Sequence, residues 1–285
     1  ELIDPELPDI PALIGVDRDE WEWLERFERD TISLSGSLSA TTGHRAMDYE
    51  KLLRQGCNGV LEEVKRRRSQ LMFNDPDDAR RDCFYEAAEI SLRGFIRLGQ
   101  RYHDKLAECY EAEKNPIRKR EYAKLVDIFS NIPANPARDF YEAIQCVWLL
   151  QFAVYIAGDT NLSGRPAEYL YPYYKKDKEA GRLTDEFTME LIENFYLKHN
   201  EIYDTWPASL MVGGVKRDGT PAWNELCYMF VKGIETVGLI NPAVAIAYNE
   251  HMPQDLMDLC VDIISKGYTK PAFFSDKVII EGLLE

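Results

Sequence analysis

The 285-residue chain lacks the patterns by which a sequence usually declares a cofactor or a nucleic acid. There is no Gly-x-Gly-x-x-Gly turn, no Walker loop and no Gly-x-Ser-x-Gly elbow, so dinucleotide, nucleotide and serine-hydrolase readings lose their usual support. Histidine is scarce: His44, His103, His199 and His251 show no His-x-x-x-His or Glu-x-x-His spacing, and no metal site is expected. Positive charge is short as well, 34 Lys and Arg against 49 Asp and Glu, for a net charge of −15. That field repels phosphate, and the densest basic run is only "KRRR" at 65–68, so a nucleic-acid partner is not expected. The longest apolar run, Cys146 to Gly158, contains Gln151 and is shorter than the roughly 20 residues that cross a bilayer. The start, "ELIDPELPDIPALIGVD", is acidic and proline-rich, unlike a secretory signal, and reads as a chain already in progress. Six cysteines without a Cys-x-x-Cys pair, mostly in apolar helical patterns, predict reduced, mostly buried thiols and a cytoplasmic location.

What is present is a large core and two kinds of periodicity, with 45% hydrophobic and 29% charged residues. Up to about residue 205 the period is helical. Trp21, Leu24 and Phe27 begin one amphipathic segment and Tyr49, Leu52 and Leu53 a second. Phe84, Ala88, Leu92, Phe95, Gly99, Tyr102 and Leu106 share one face over six turns, and after Pro133 and Pro136 so do Phe140, Ile144, Val147, Trp148 and Phe152. Thr184 and Asp185 predict the cap of a helix to about Tyr203. Beyond 205, strands at 208–215 and 242–248 alternate with helices opened by Pro221 and Pro253, and "PAFFSDKVII" starts a third unit. This order implies parallel strands. The predicted organisation is α/β: residues 1–205 a mainly helical outer part, 206–285 the start of a β/α half-barrel.

Three places could carry chemistry. In "GHRAMDYEKLL" (43–53), His44 precedes a helix and Asp48 lies four residues on, on the same face, where it could fix the imidazole tautomer; a helix-entry histidine capping a backbone group is the reading the residues alone favour. The loop "AGDTNLSGR" (157–165) offers Asp159, Thr160, Asn161, Ser163 and Arg165, pointing into a cavity or merely solvating a helix end. Gly213–Gly214 closes a strand and allows close approach of a ligand or forms a simple turn.

Six stretches, in order, resemble the glycyl radical enzymes of the pyruvate formate-lyase type, chiefly their dehydratase, carbon–nitrogen lyase and decarboxylase branches. They are "GHRAMDYEKLLRQGCNGVLEEV", "FYEAAEISLRGFIRLGQRYHDKLAE", "NPARDFYEAIQCVWLLQF", "GRPAEYLYPYYKKD", "LMVGGVKRDGTPAWNEL" and "KPAFFSDKVII". The resemblance implies a ten-stranded α/β barrel of two parallel half-sheets, with the helix-rich N-terminal part wrapping the half-barrel. It implies a radical lyase that abstracts hydrogen from a small polar or carboxylated substrate and then eliminates or decarboxylates. His44, Asp159, Thr160, Arg165 and Trp206 would contact substrate, and the tyrosines of "EYLYPYY" would anchor the preceding loop. Asp159–Thr160 stands where diol dehydratases tend to carry His-Ser, which puts glycerol or propanediol in question. The family's thiyl cysteine, in a Gly-Cys-x-Glu-like loop, and its radical glycine are expected outside this chain, which would be inactive alone. No cofactor is bound in this reading. A separate S-adenosylmethionine-dependent iron–sulfur activating enzyme would install the radical, and a homodimer is implied. Two rivals remain: a non-catalytic scaffold or split-protein component, and an ordinary barrel lyase using acid–base chemistry.

Overall fold

A computed structural model describes residues 45–73, 75–157, 161–202, 209–216 and 218–284, together with Asp17, Asp19 and Glu22. The chain divides into two compact units, Glu1–Gly43 and His44–Glu285. Within the first unit the Asp19 amide donates to Asp17 Oδ1 at 2.9 Å; the helix predicted around Trp21, Leu24 and Phe27 lies outside the described residues.

The second unit begins with a two-residue strand, β1 (Arg45–Ala46), followed by helix α1 (Tyr49–Arg68). Asp48 is the N-cap of α1, its carboxylate accepting the Lys51 amide at 3.0 Å. This corrects the expectation that Asp48 shares a helix face with His44: the chain between them is extended, and the carboxylate satisfies an orphan helix amide. Gly56 breaks α1 with φ 64°, and only glycine fits there, since a Cβ would come within 2.4 Å of the Asn135 backbone. The amides freed by the break, Cys57 and Asn58, donate to the carbonyls of Pro133 and Ala134.

Three long helices follow: α2 (Pro76–Ala112), α3 (Pro116–Asn131) and α4 (Phe140–Ile156). α2 packs along both α1 and α3, and at 37 residues it is roughly 55 Å long. Phe95 is buried and Tyr102 stacks on Phe129 at 5.3 Å, but Phe84, expected on the same core face, is 69% exposed. The α3–α4 junction is tied by Glu142, fully buried, whose carboxylate accepts from Arg138 Nε, the Arg138 amide and Asn131 Nδ2.

Then come β2 (Asn161–Leu162), the short helices α5 (Pro166–Tyr169) and α6 (Tyr171–Glu179), and α7 (Asp185–Ile202). As expected, Thr184 closes the start of α7, its hydroxyl accepting the Phe187 amide. The final part alternates β3 (Ser209–Gly213), α8 (Glu225–Val237), β4 (Ala243–Tyr248), α9 (Gln254–Ser265), β5 (Ala272–Ser275) and α10 (Asp276–Leu284). Pro221 does not open α8; it pairs with Val215 in an antiparallel bridge, and Asn224 caps the helix by accepting the Leu226 amide.

Among the described residues all strand pairs are parallel. β1 pairs with β2, and β3 with β4 and β4 with β5. The two groups join where the Ser163 amide donates to Ser209 O and the Met211 amide to Gly164 O. The result is one parallel run, β1-β2-β3-β4-β5. Two of its strands come from before residue 205, too short for any alternating pattern to announce them. Leu210, Val212, Val244 and Ile246 are buried on one face, and the buried stripes of α8 and α9 join them in one core. The opposite face carries Ser209, Met211, Ala243 and Ala245, all partly exposed. No described helix is long and apolar enough to cross a membrane.

Candidate functional site

In a parallel run all strands start at one edge and finish at the other; open α/β sheets as a rule bind ligands at the finishing edge, whereas most of the residues that the sequence marked here precede strands. The leading edge receives the chain segments that precede each strand. His44 immediately precedes β1, Asp159 and Thr160 precede β2, and Trp206 lies between α7 and β3. These four residues fall outside the described residues. Their chain neighbours do not: Arg45 is the register partner of Asn161, and Ala46 of Leu162. The residue after His44 is thus paired with the residue after Thr160.

Side chains that the sequence did not single out hold the rest of the leading edge. Lys270, just before β5, donates from Nζ to the carbonyls of Leu239, Ile240 and Pro242 at 2.7, 2.9 and 2.9 Å. Its partial burial draws the ammonium pKa down to about 8. Asn200, near the end of α7, brackets Asn241 by donating from Nδ2 to its carbonyl and accepting its amide. Lys270 opens the "KPAFFSDKVII" block, but nothing in that block marks it for this role, and an asparagine late in a helix belongs to no motif. His199, next to Asn200, is 1% exposed, and its Nδ1–H donates to Phe195 O at 2.7 Å. Burial lowers its pKa to about 4, so the ring is neutral at pH 7.

Arg165 stands at the trailing edge, past the end of β2 and at the N-cap of α5. Its Nη1 donates to Val215 O at 2.7 Å, and its Nη2 lies 3.9 Å from Asp276 Oδ1. The other oxygen of Asp276 accepts the Val215 amide at 2.9 Å. Arg165, Val215 and Asp276 therefore tie together the ends of β2, β3 and β5. The Gly-Gly pair belongs to the same edge, with φ 76° at Gly213 and 86° at Gly214. What approaches it closely is the protein itself. A Cβ on Gly213 would meet the Trp223 ring at 1.9 Å, and one on Gly214 would meet Asp276 Oδ2 at 2.5 Å. Trp223 Nε1 in turn donates to Asn249 Oδ1 at 3.2 Å.

Between the edges, β2 is gripped by phenols. Tyr169 donates its hydroxyl to Ser163 O at 2.8 Å and Tyr49 to Leu162 O at 2.9 Å, and the two rings stack at 5.2 Å. The expected anchoring of this loop by the tyrosine block thus falls to Tyr169. Tyr174 instead donates to Asp185 and receives Lys178, joining α6 to the start of α7.

All six cysteines are free and lie in helices, none at a strand edge. Burial raises the thiol pKa of Cys57 and Cys260 to about 12 and of Cys227 to about 11. Among the described residues no group of three or more His, Cys, Asp or Glu is placed to hold a metal ion. A groove of about 760 Å³ opens among α2, α3, α4 and α7, lined by Tyr102, Lys124, Tyr141, Trp148 and Phe152; no strand residue lines it, so it is separate from both sheet edges.

Comparison with known proteins places this geometry. The family described as pyruvate formate lyase-like matches residues 18–285. The chain is 32% identical over 252 residues to an isethionate sulfite-lyase of Bilophila wadsworthia, covering 82% of this chain and 30% of that protein. It is 30% identical over 264 residues to a (2S)-3-sulfopropanediol dehydratase of Klebsiella oxytoca, covering 86% and 32%. The glycerol-bound B12-independent glycerol dehydratase of Clostridium butyricum superposes with a TM-score of 0.79 at 29% identity, over 86% of this chain and 33% of that one. The chain spans about a third of the length of these relatives.

Proposed function

The chain belongs to the pyruvate formate lyase-like family, and on that premise we propose that it is part of a glycyl radical lyase, abstracting hydrogen from a small polar or carboxylated substrate and completing an elimination or a decarboxylation. The observation that carries this reading is the β1–β5 run, in which the residues following His44 and Thr160 are register partners. Five parallel strands are half of a ten-stranded barrel, residues 1–205 contributing its outer helical part and 206–285 most of the half-sheet. The partly exposed face with Ser209, Met211, Ala243 and Ala245 would then turn inward.

In this reading the leading edge is the substrate side. The His44 imidazole holds or moves a proton at a substrate heteroatom, Asp159 and Thr160 orient a hydroxyl or ammonium group, and the Trp206 indole forms a wall that excludes water. Arg165, which the resemblance would also place against substrate, serves the same pocket from behind by fixing the far ends of β2 and β3. With every cysteine of the chain in a helix, the residues present fit a thiyl radical carried elsewhere. The glycyl radical, installed by an S-adenosylmethionine-dependent iron–sulfur activating enzyme, would supply the hydrogen-abstracting chemistry from sequence outside this chain. A cytoplasmic homodimer completes the proposal.

The test is anaerobic activation of the natural full-length protein, with isethionate, (2S)-3-sulfopropanediol and glycerol as probes. The reading expects an organic-radical resonance and turnover of at least one probe, with turnover lost in His44→Ala and Asp159→Asn. Turnover in air without activation would overturn it, as would an activated protein with neither radical signal nor turnover.

A further inference from the structure

We propose that Tyr49, Gln151 and Tyr169 are positioning residues that set the placement of the β1–β2 pair, and through it the substrate-contacting segments that lead into those strands. The inference rests on the reading of the leading edge as the substrate side. β2 is only two residues long and cannot hold its own geometry through a ladder. Three helices supply the missing grip. From α1, Tyr49 donates to Leu162 O at 2.9 Å; from α5, Tyr169 donates to Ser163 O at 2.8 Å; from α4, Gln151 donates from Nε2 to Ser163 Oγ at 2.7 Å.

Gln151 explains itself in no other way. It is 2% exposed in the middle of the apolar stretch from Cys146 to Ala157, where an amide without a partner would be destabilising. Its second contact, Nε2 to the Tyr49 hydroxyl at 3.3 Å, links the grips on Leu162 and Ser163 into one network, with Tyr49 oxygen donating to one partner and accepting from the other. The stack of Tyr49 on Tyr169 packs the two grips against each other. Burial beside Tyr49 holds the Tyr169 hydroxyl well above its ordinary pKa, so it stays a donor across the working pH range. A displacement of one ångström in a reacting geometry can cost on the order of 100-fold in rate, and the clamp holds Leu162 and Ser163, two and three positions after Thr160 in the sequence.

Tyr49→Phe removes one oxygen and keeps the ring. Tyr174→Phe is its match, an equally buried, hydrogen-bonded phenol whose hydroxyl donates to Asp185 at the start of α7 rather than to β2. In the activated full-length enzyme, Tyr49→Phe should lower kcat/KM by roughly 10-fold or more, mostly in kcat, while Tyr174→Phe leaves both constants unchanged despite a similar fall in melting temperature. Equal kinetic behaviour of the two variants would overturn the positioning role. Should the activated wild type turn over no probe, the functional reading fails instead, and amide exchange in the unactivated protein decides the clamp. Exchange at 45–46 and 161–163 must then be faster in Tyr49→Phe than in Tyr174→Phe; identical exchange refutes the proposal.

Discussion

At the trailing edge two opposite charges share one backbone residue and a tryptophan ring fills the glycine clearance, whereas at the leading edge single polar side chains hold the backbone of the lead-in segments. Arg165 and Asp276 face each other across Val215, and the Trp223 indole fills the space above Gly213. On the leading side Lys270 collects three carbonyls and Asn200 brackets one peptide. The difference is functional in kind. An edge that uses its polar side chains and its glycine clearance on itself has little left for a ligand. An edge held through carbonyls keeps its form whatever side chains its lead-in segments carry, so specificity there can change without loss of the fold.

Substitutions at the trailing edge should therefore register first as stability. Gly213→Ala should have the largest effect, about 3 kcal/mol or more, because overpacking against Trp223 adds to a left-handed backbone. Gly219→Ala, with φ 81° and open space around it, should cost only about 1 kcal/mol. Comparable losses in thermal unfolding of the two variants would break the contrast. Acid should act on the leading edge. The folded-state pKa of His199 lies at about 4, below the ordinary 6.5. The unfolded chain therefore takes up a proton first, and the stabilisation, complete above pH 6.5, declines as pH falls toward 4 by up to about 3 kcal/mol. His199→Gln should flatten that part of the stability profile; an unchanged slope would assign it to other groups. Asp276→Ala, which strips the Val215 amide of its acceptor, should cost about 2 kcal/mol in chemical denaturation and leave probe affinity alone. Smallest is Lys270→Met, at about 1 kcal/mol, since the three lost carbonyl bonds are offset by no longer burying an ammonium; its signature should be faster amide exchange at 239–242 rather than a large shift in melting temperature.

Where a single element repeats a pattern, the sequence was a sufficient guide. β3 and β4 appear within one or two residues of their predicted limits, and α9 begins just after Pro253 as its proline suggested. The failures are instructive. Pro221 suited a first helical turn by local preference, yet Val215 claimed it and Asn224 offered the stronger cap. Phe84 followed the apolar face of α2 but lies near its N-terminal end, where the face is exposed. Of the candidate site, the sequence marked the lead-in residues and the tyrosine block but missed Lys270, Asn200 and Gln151. Their partners are mostly carbonyls and hydroxyls of remote segments, and a backbone carbonyl leaves no mark in a sequence.

The sequence alone determined the amphipathic helices, the late alternation of strand and helix and the likeness to glycyl radical lyases, because each rests on residues close together along the chain or on blocks in a fixed order. Only the tertiary structure decided that the strands form one parallel run, that Arg165 and the glycine pair serve the trailing edge, and that residues 116 positions apart are register neighbours. Strands of two residues acquire their place from hydrogen bonds and packing supplied by other elements, and those forces act across space rather than along the chain.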